Sequence, residues 1–117
     1  GVTGLAETLA VEADAGATID FSMKTGGQTV NRIVYDAALG GGTLKNIVFA
    51  ATGTLEIVNL DGVLDDSALL TLVDVDGAAN LANWTVTKNG TPKPEWKASA
   101  RNGGLFINRP GLIVIVR

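Results

Sequence analysis

The chain has 117 residues, enough for one domain with a real core. Its 9 Lys and Arg against 12 Asp and Glu give a net charge of −3, which argues against a dedicated nucleic-acid binder. It holds no Cys and no His, which excludes disulfides, thiolate and imidazole metal sites, cysteine nucleophiles and the Ser-His-Asp triad.

An apolar content of 46% is too high for a disordered chain, and no apolar run is long enough to span a membrane as a helix. The chain opens on Gly1 rather than Met and is read as a piece cut from a longer protein. Charge is uneven. Residues 1–80 carry three basic and eleven acidic side chains, whereas 81–117 carry six basic and one acidic. All 3 prolines and both tryptophans lie in the second segment. A segment that short makes a poor independent core, so the expectation is one domain over 1–117 with a distinct, basic C-terminal part.

In chain order, residues 3–13 read either as a short helix capped by Thr3 or as a strand through Leu9, Val11 and Ala13. Every later element reads as β. The candidate strands are 17–23, 29–36, 43–50, 53–60, 68–75, 82–88, 95–99, 104–108 and 111–117, rich in Val, Ile, Leu, Thr and aromatics. Between them fall Gly26-Gly27, the triple glycine 40–42, Asp61-Gly62, Asn89-Gly90 and Asn102-Gly103, residues that tolerate positive φ. Short strands without interleaved helices predict an all-β fold.

A repeat of fourteen residues runs through about 15–58. Ile19-Asp20-Phe21, Ile33-Val34-Tyr35 and Ile47-Val48-Phe49 recur at that spacing, and a degenerate copy follows at Thr54–Val58. Residues i and i+2 of a strand share a face. Parallel stacking of these copies would therefore build one column of Ile and one of aromatics. This predicts a β-solenoid-like fold (a parallel β-helix) with an atypical capping segment at 81–117. The same spacing also suits a β-sandwich or jelly roll.

The segment Gly16-Ala17-Thr18-Ile19-Asp20-Phe21 and the strand Gly53-Thr54-Leu55-Glu56-Ile57 resemble the passenger regions of autotransporter-type proteins and their autotransporter-associated β-strand repeats. The C-terminal run from 68 to 117 is more loosely similar to the ends of such repeat-rich bacterial surface proteins. The strands here are too short for an outer-membrane barrel. The resemblance implies an exported, non-enzymatic segment of a larger surface protein, extracellular or at the bacterial cell surface, whose last strands cap an open edge.

Candidate sites are few. Asp61, Asp65, Asp66, Asp74 and Asp76 cluster as calcium ligands would, but neither the EF-hand spacing nor its closing Glu is present. Turn aspartates that favour solubility explain them better. Asp65 with Asp66, or Asp20 with Asp36, assembles no convincing glycosidase pair. No catalytic, cofactor or metal residue is assigned, and no enzyme activity is expected.

Trp84 and Trp96 flank the Asn89-Gly90 turn among Lys88, Lys93, Lys97 and Arg101. Their alternation with Val86 and with Glu95 and Lys97 fits one buried strand face. As an exposed pair they would stack on sugar rings, with the cations holding an acidic polymer. The leading expectation is a structural or adhesin segment whose partner is the rest of a surface protein. The alternative is a carbohydrate-binding β-sandwich that contacts glycans through Trp84, Trp96, Lys88 and Lys97. Neither reading involves nucleic acid or membrane insertion.

Overall fold

The computed structural model describes residues 9–13, 18–20, 28–60 and 68–109. Its elements are β1 (Leu9–Ala13), β2 (Thr18–Asp20), β3 (Gln28–Asp36), β4 (Thr43–Lys45), β5 (Ile47–Val58), β6 (Leu70–Val73), a 3-10 helix (Ala78–Asn83), β7 (Thr85–Lys88), β8 (Thr91–Pro92), β9 (Lys97–Arg101) and β10 (Gly104–Asn108). The all-β expectation holds, and residues 9–13 take the strand reading rather than the helical one. The proposed strand at 111–117 lies outside the described residues.

The strands form two five-stranded sheets, ordered β1-β3-β5-β7-β8 and β2-β4-β6-β10-β9. Successive strands from β1 to β6 alternate between the sheets, and each strand from β1 to β5 pairs with the strand two places on in the chain. Those ladders are parallel in the first sheet through β7 and in the second through β6. The direction then changes. β8 runs antiparallel to β7, and β10 runs antiparallel to both β6 and β9.

Like stacks on like, though not at a spacing of fourteen. Ile33 lies opposite Val11 and Leu55, and Leu55 lies opposite Val86. Ile47 lies opposite Gln28, whereas Ile19 lies opposite Leu44 in the other sheet. The column of Ile19, Ile33 and Ile47 is therefore not formed. The pairing advances by 19 residues from Gln28 to Ile47 but by 31 from Thr54 to Thr85. The fourteen-residue spacing connects strands of different sheets or different parts of one sheet, because each successive Ile belongs to a new stretch of chain.

Two strands bend. Along β3, Gln28 and Val30 point inward, Asn31 and Arg32 are both exposed, and Ile33 and Tyr35 point inward again. The inward phase thus shifts by one residue at the 31–32 step. The partner strand β5 absorbs the same bend: its pairing jumps from Phe49 to Thr54 while β3 moves only from Val30 to Arg32. Before the bend, β5 also bridges Asp76 in parallel through Val48. The Phe49 N–H donates to the Asp76 carbonyl, and the Asp76 N–H donates to the Ile47 carbonyl.

Both sheets contribute to a single apolar core. Val30, Ile33, Phe49, Leu55, Ile57 and Val86 come from the first sheet, and Leu44, Leu70, Leu72, Ala98 and Leu105 from the second. At about 25 cal/mol per Å² of apolar surface removed from water, these side chains supply the main driving force for folding. Polar residues turn the corners. Asn46 and Asp74 hold positive φ directly after β4 and β6, and Asn59 and Asn89 do so after β5 and β7. Short polar side chains tolerate that backbone region best among non-glycine residues. They also bond across strands: Asn46 Nδ2 donates to Asp20 Oδ1 at 2.8 Å, and Asn59 Nδ2 donates to Asp36 Oδ1 at 3.1 Å. The Asn59 N–H in turn donates to Asn89 Oδ1 at 3.2 Å.

Candidate functional site

The basic C-terminal segment builds the candidate site. Two Asn-Gly turns shape it. Asn89 and Gly90 both hold positive φ, 50° and 84°, between β7 and β8. Asn102 and Gly103 do the same, at 50° and 75°, between β9 and β10. Paired positive φ is the type I′ geometry that matches strand twist in a two-residue hairpin. The first turn is anchored from below by Glu56, whose side chain is only 7% exposed. Its carboxylate accepts the Thr87 hydroxyl and the Gly90 backbone N–H. A buried carboxylate in a β protein invites a catalytic reading, but here its hydrogen bonds lock a hairpin onto the sheet.

Trp84 belongs to the core, the position that its shared face with Val86 favours. It is 2% exposed. Its ring meets Phe49 edge-to-face, with centroids 5.7 Å apart and planes at 83°. Its indole N–H donates to the Ala50 carbonyl at 2.9 Å. Ala50 lies in the bend of β5, whose carbonyl would otherwise lack a ladder partner, so the tryptophan fills the corner and satisfies it. The ring lies so close to Gly53 that a Cβ there would sit 2.6 Å from Trp84 Cε2 and from the Asn31 carbonyl oxygen. The sequence signal was the shared face of Trp84 and Val86, and the structure follows that reading.

Trp96 sits differently. It is half-buried against the edge of the core, in a turn closed by its N–H donating to the Lys93 carbonyl at 3.0 Å. The Lys93 ammonium lies over its ring at 5.7 Å from the centroid, and the Arg109 guanidinium at 5.5 Å. These are cation–π distances. The ring helps line a groove of about 360 Å³ with Thr85, Pro92, Lys93, Pro94 and Lys97. The groove opens where the chain crosses from β8 in the first sheet to β9 in the second.

The four ligand candidates are thus not brought together. Trp96 and Lys97 line the groove, Trp84 contributes to its wall from a buried position, and Lys88 does not line it. Lys88 ends β7, opposite Ile57. Residues that position alone did not single out, Lys93 and Arg109, flank the aromatic ring instead. Their signal was the local excess of basic residues over 81–117, which did not say which of them converge.

The acidic candidates remain dispersed. Asp61, Asp65 and Asp66 lie outside the described residues. Asp74 and Asp76 are exposed, and among the described residues no group of three potential metal ligands assembles. Asp20 and Asp36 lie in different sheets, and each is engaged by the corner asparagine of a neighbouring strand in its own sheet. No helix among the described residues is long and apolar enough to cross a membrane. Comparison with protein-family models, curated proteins and solved structures finds no match for this chain.

Proposed function

We propose that this chain is a non-enzymatic structural segment of an exported bacterial surface protein, a β-solenoid whose C-terminal hairpins close the stack. The observation that carries the reading is the change of strand direction. Strands wind between two sheets in parallel register up to β6 and β7, and antiparallel hairpins then end both ladders. The register shift between β3 and β5, where the pairing moves from Val30–Phe49 to Arg32–Thr54, is the kind of corner a coil needs to change direction. Corner residues with positive φ and cross-strand amide bonds suit the same stacking. Coils of 19 to 31 residues stack because the inward positions match, not because the coils are equal in length.

The closing strands carry the devices that keep a sheet edge from recruiting another chain. β8 is two residues long and contains Pro92, and β9 carries Lys97 and Arg101 at its ends. Short length, proline and charge each oppose edge-to-edge pairing. The weak resemblance to autotransporter-associated repeats supports a surface location.

The test is sedimentation velocity of the chain beside the variant Pro92→Thr/Lys97→Thr/Arg101→Thr. The capped chain is expected to show no concentration-dependent growth that the variant lacks, whereas the variant forms larger assemblies as concentration rises. Identical sedimentation of the two across the same range would overturn the capping role.

A further inference from the structure

We infer that the groove beside Trp96 is a binding site for an acidic saccharide, a chain of uronate sugars. Trp96 and two prolines, Pro92 and Pro94, give the groove a rigid apolar part of its lining, beside the Lys93 and Arg109 cations that lie over the indole ring. Sugar rings present apolar C–H faces that pack on such linings, and rigid partners lose little conformational freedom on binding. The volume of about 360 Å³ lies within the range of small-ligand sites. The exposed hydroxyl of Thr85 offers a donor and an acceptor to sugar hydroxyls.

Charge selects the class of sugar. Lys93 and Lys97 line the groove, and Arg109 lies against the same ring. Among the described residues no ion pair engages Lys93 or Lys97. The nearby turn holds a single acidic residue, Glu95, while the rest of the chain is strongly acidic. A cationic groove on an otherwise acidic molecule favours a carboxylate-bearing ligand. A neutral glycan offers these side chains no opposite charge. A single-stranded nucleic acid needs a succession of stacking platforms, and this groove has one accessible aromatic.

The experiment titrates the full chain with a galacturonate hexamer and, in parallel, with a maltohexaose of equal length. Intrinsic tryptophan fluorescence is the readout. Both tryptophans line the groove, Trp84 from a buried position, so a response carried by Trp96 is the part lost in Trp96→Ala. A saturable change is expected with galacturonate and not with the neutral sugar, weakening as salt is raised. Lys93→Gln/Lys97→Gln should bind at least tenfold more weakly, while Lys88→Gln, outside the groove, should bind like the parent. Trp96→Ala, followed by calorimetry, should also lose at least tenfold in affinity. If that variant does not fold, the lysine pair decides, since both side chains lie at the surface edge of the groove. Absence of saturable binding, equal response to the neutral sugar, or unchanged affinity in the lysine variant would each overturn the assignment.

Discussion

Tyr35 is the one tyrosine of the chain and the described residue whose ionisation the fold visibly moves. Burial comes first and the neighbouring Asp36 carboxylate second, and both hold its phenol above the ordinary value of 10.0. Both disfavour the phenolate. The folded chain therefore keeps this proton to higher pH than the unfolded chain does. Its contribution to stability is complete below about pH 10, where both states are protonated, and is lost as pH rises through the folded value. Denaturant melts should show Tyr35→Phe losing less stability than the parent between neutral pH and strongly alkaline solution. The ultraviolet phenolate band of the parent should appear only above the usual tyrosine range. Gly53 sets the second residue-scale expectation. A methyl group there meets the Asn31 backbone oxygen, which cannot yield, and the Trp84 ring, which fills the bend. Gly53→Ala should destabilise the chain by about 1–3 kcal/mol, as overpacking of a filled site does, with a red shift of Trp84 emission if the ring is displaced.

At the scale of the element, the Asn-Gly hairpins are where local sequence and observed structure agree most closely. The two dipeptides take the paired positive φ that their composition favours. In Gly90→Val a β-branched residue would have to adopt φ near 84°, a conformation that costs L-residues about 1–2 kcal/mol. The same change loosens the N–H that the buried Glu56 carboxylate holds. The midpoint of urea denaturation should fall accordingly, whereas a matching change at the exposed Ala79, outside any turn, should cost less. Strand edges were less legible. The readings 43–50 and 53–60 are in fact β4 and the long β5, divided at Asn46 and continuous through 50–53. Asn46 breaks the first reading by turning a corner at positive φ. Thr52 and Gly53 read as a boundary, yet the backbone continues as strand because Trp84 supports its bend from a distant part of the chain. Residues 78–83 form a 3-10 helix rather than the start of the strand read from 82, and place Leu81 in the core. The two-residue β8 is too short to leave a pattern.

For the molecule as a whole, the core gathers both sheets and both charge segments into one body. The acidic part supplies most strands of the parallel ladders, and the basic part supplies the last parallel strand, β7, and the antiparallel hairpins, so the compositional break near residue 80 accompanies a change of construction within one core. That arrangement underlies both the capping experiment and the placement of the groove at the crossing between sheets. The sequence by itself determined the all-β class, the hairpin turns and the inward positions of most strands, because alternation, β-branched content and turn chemistry act within a few residues. Only the tertiary structure decided which strand stacks on which. The partner of Ile33 is Leu55 rather than Ile47 because loops of unequal length intervene, and loop length is cheap in free energy while inward packing is not. The same holds for the tryptophans. Their types and spacing are plain in the chain, but Trp84 is core through its contacts with Phe49 and Ala50, more than thirty residues away, contacts that no local pattern encodes, whereas Trp96 lines a groove.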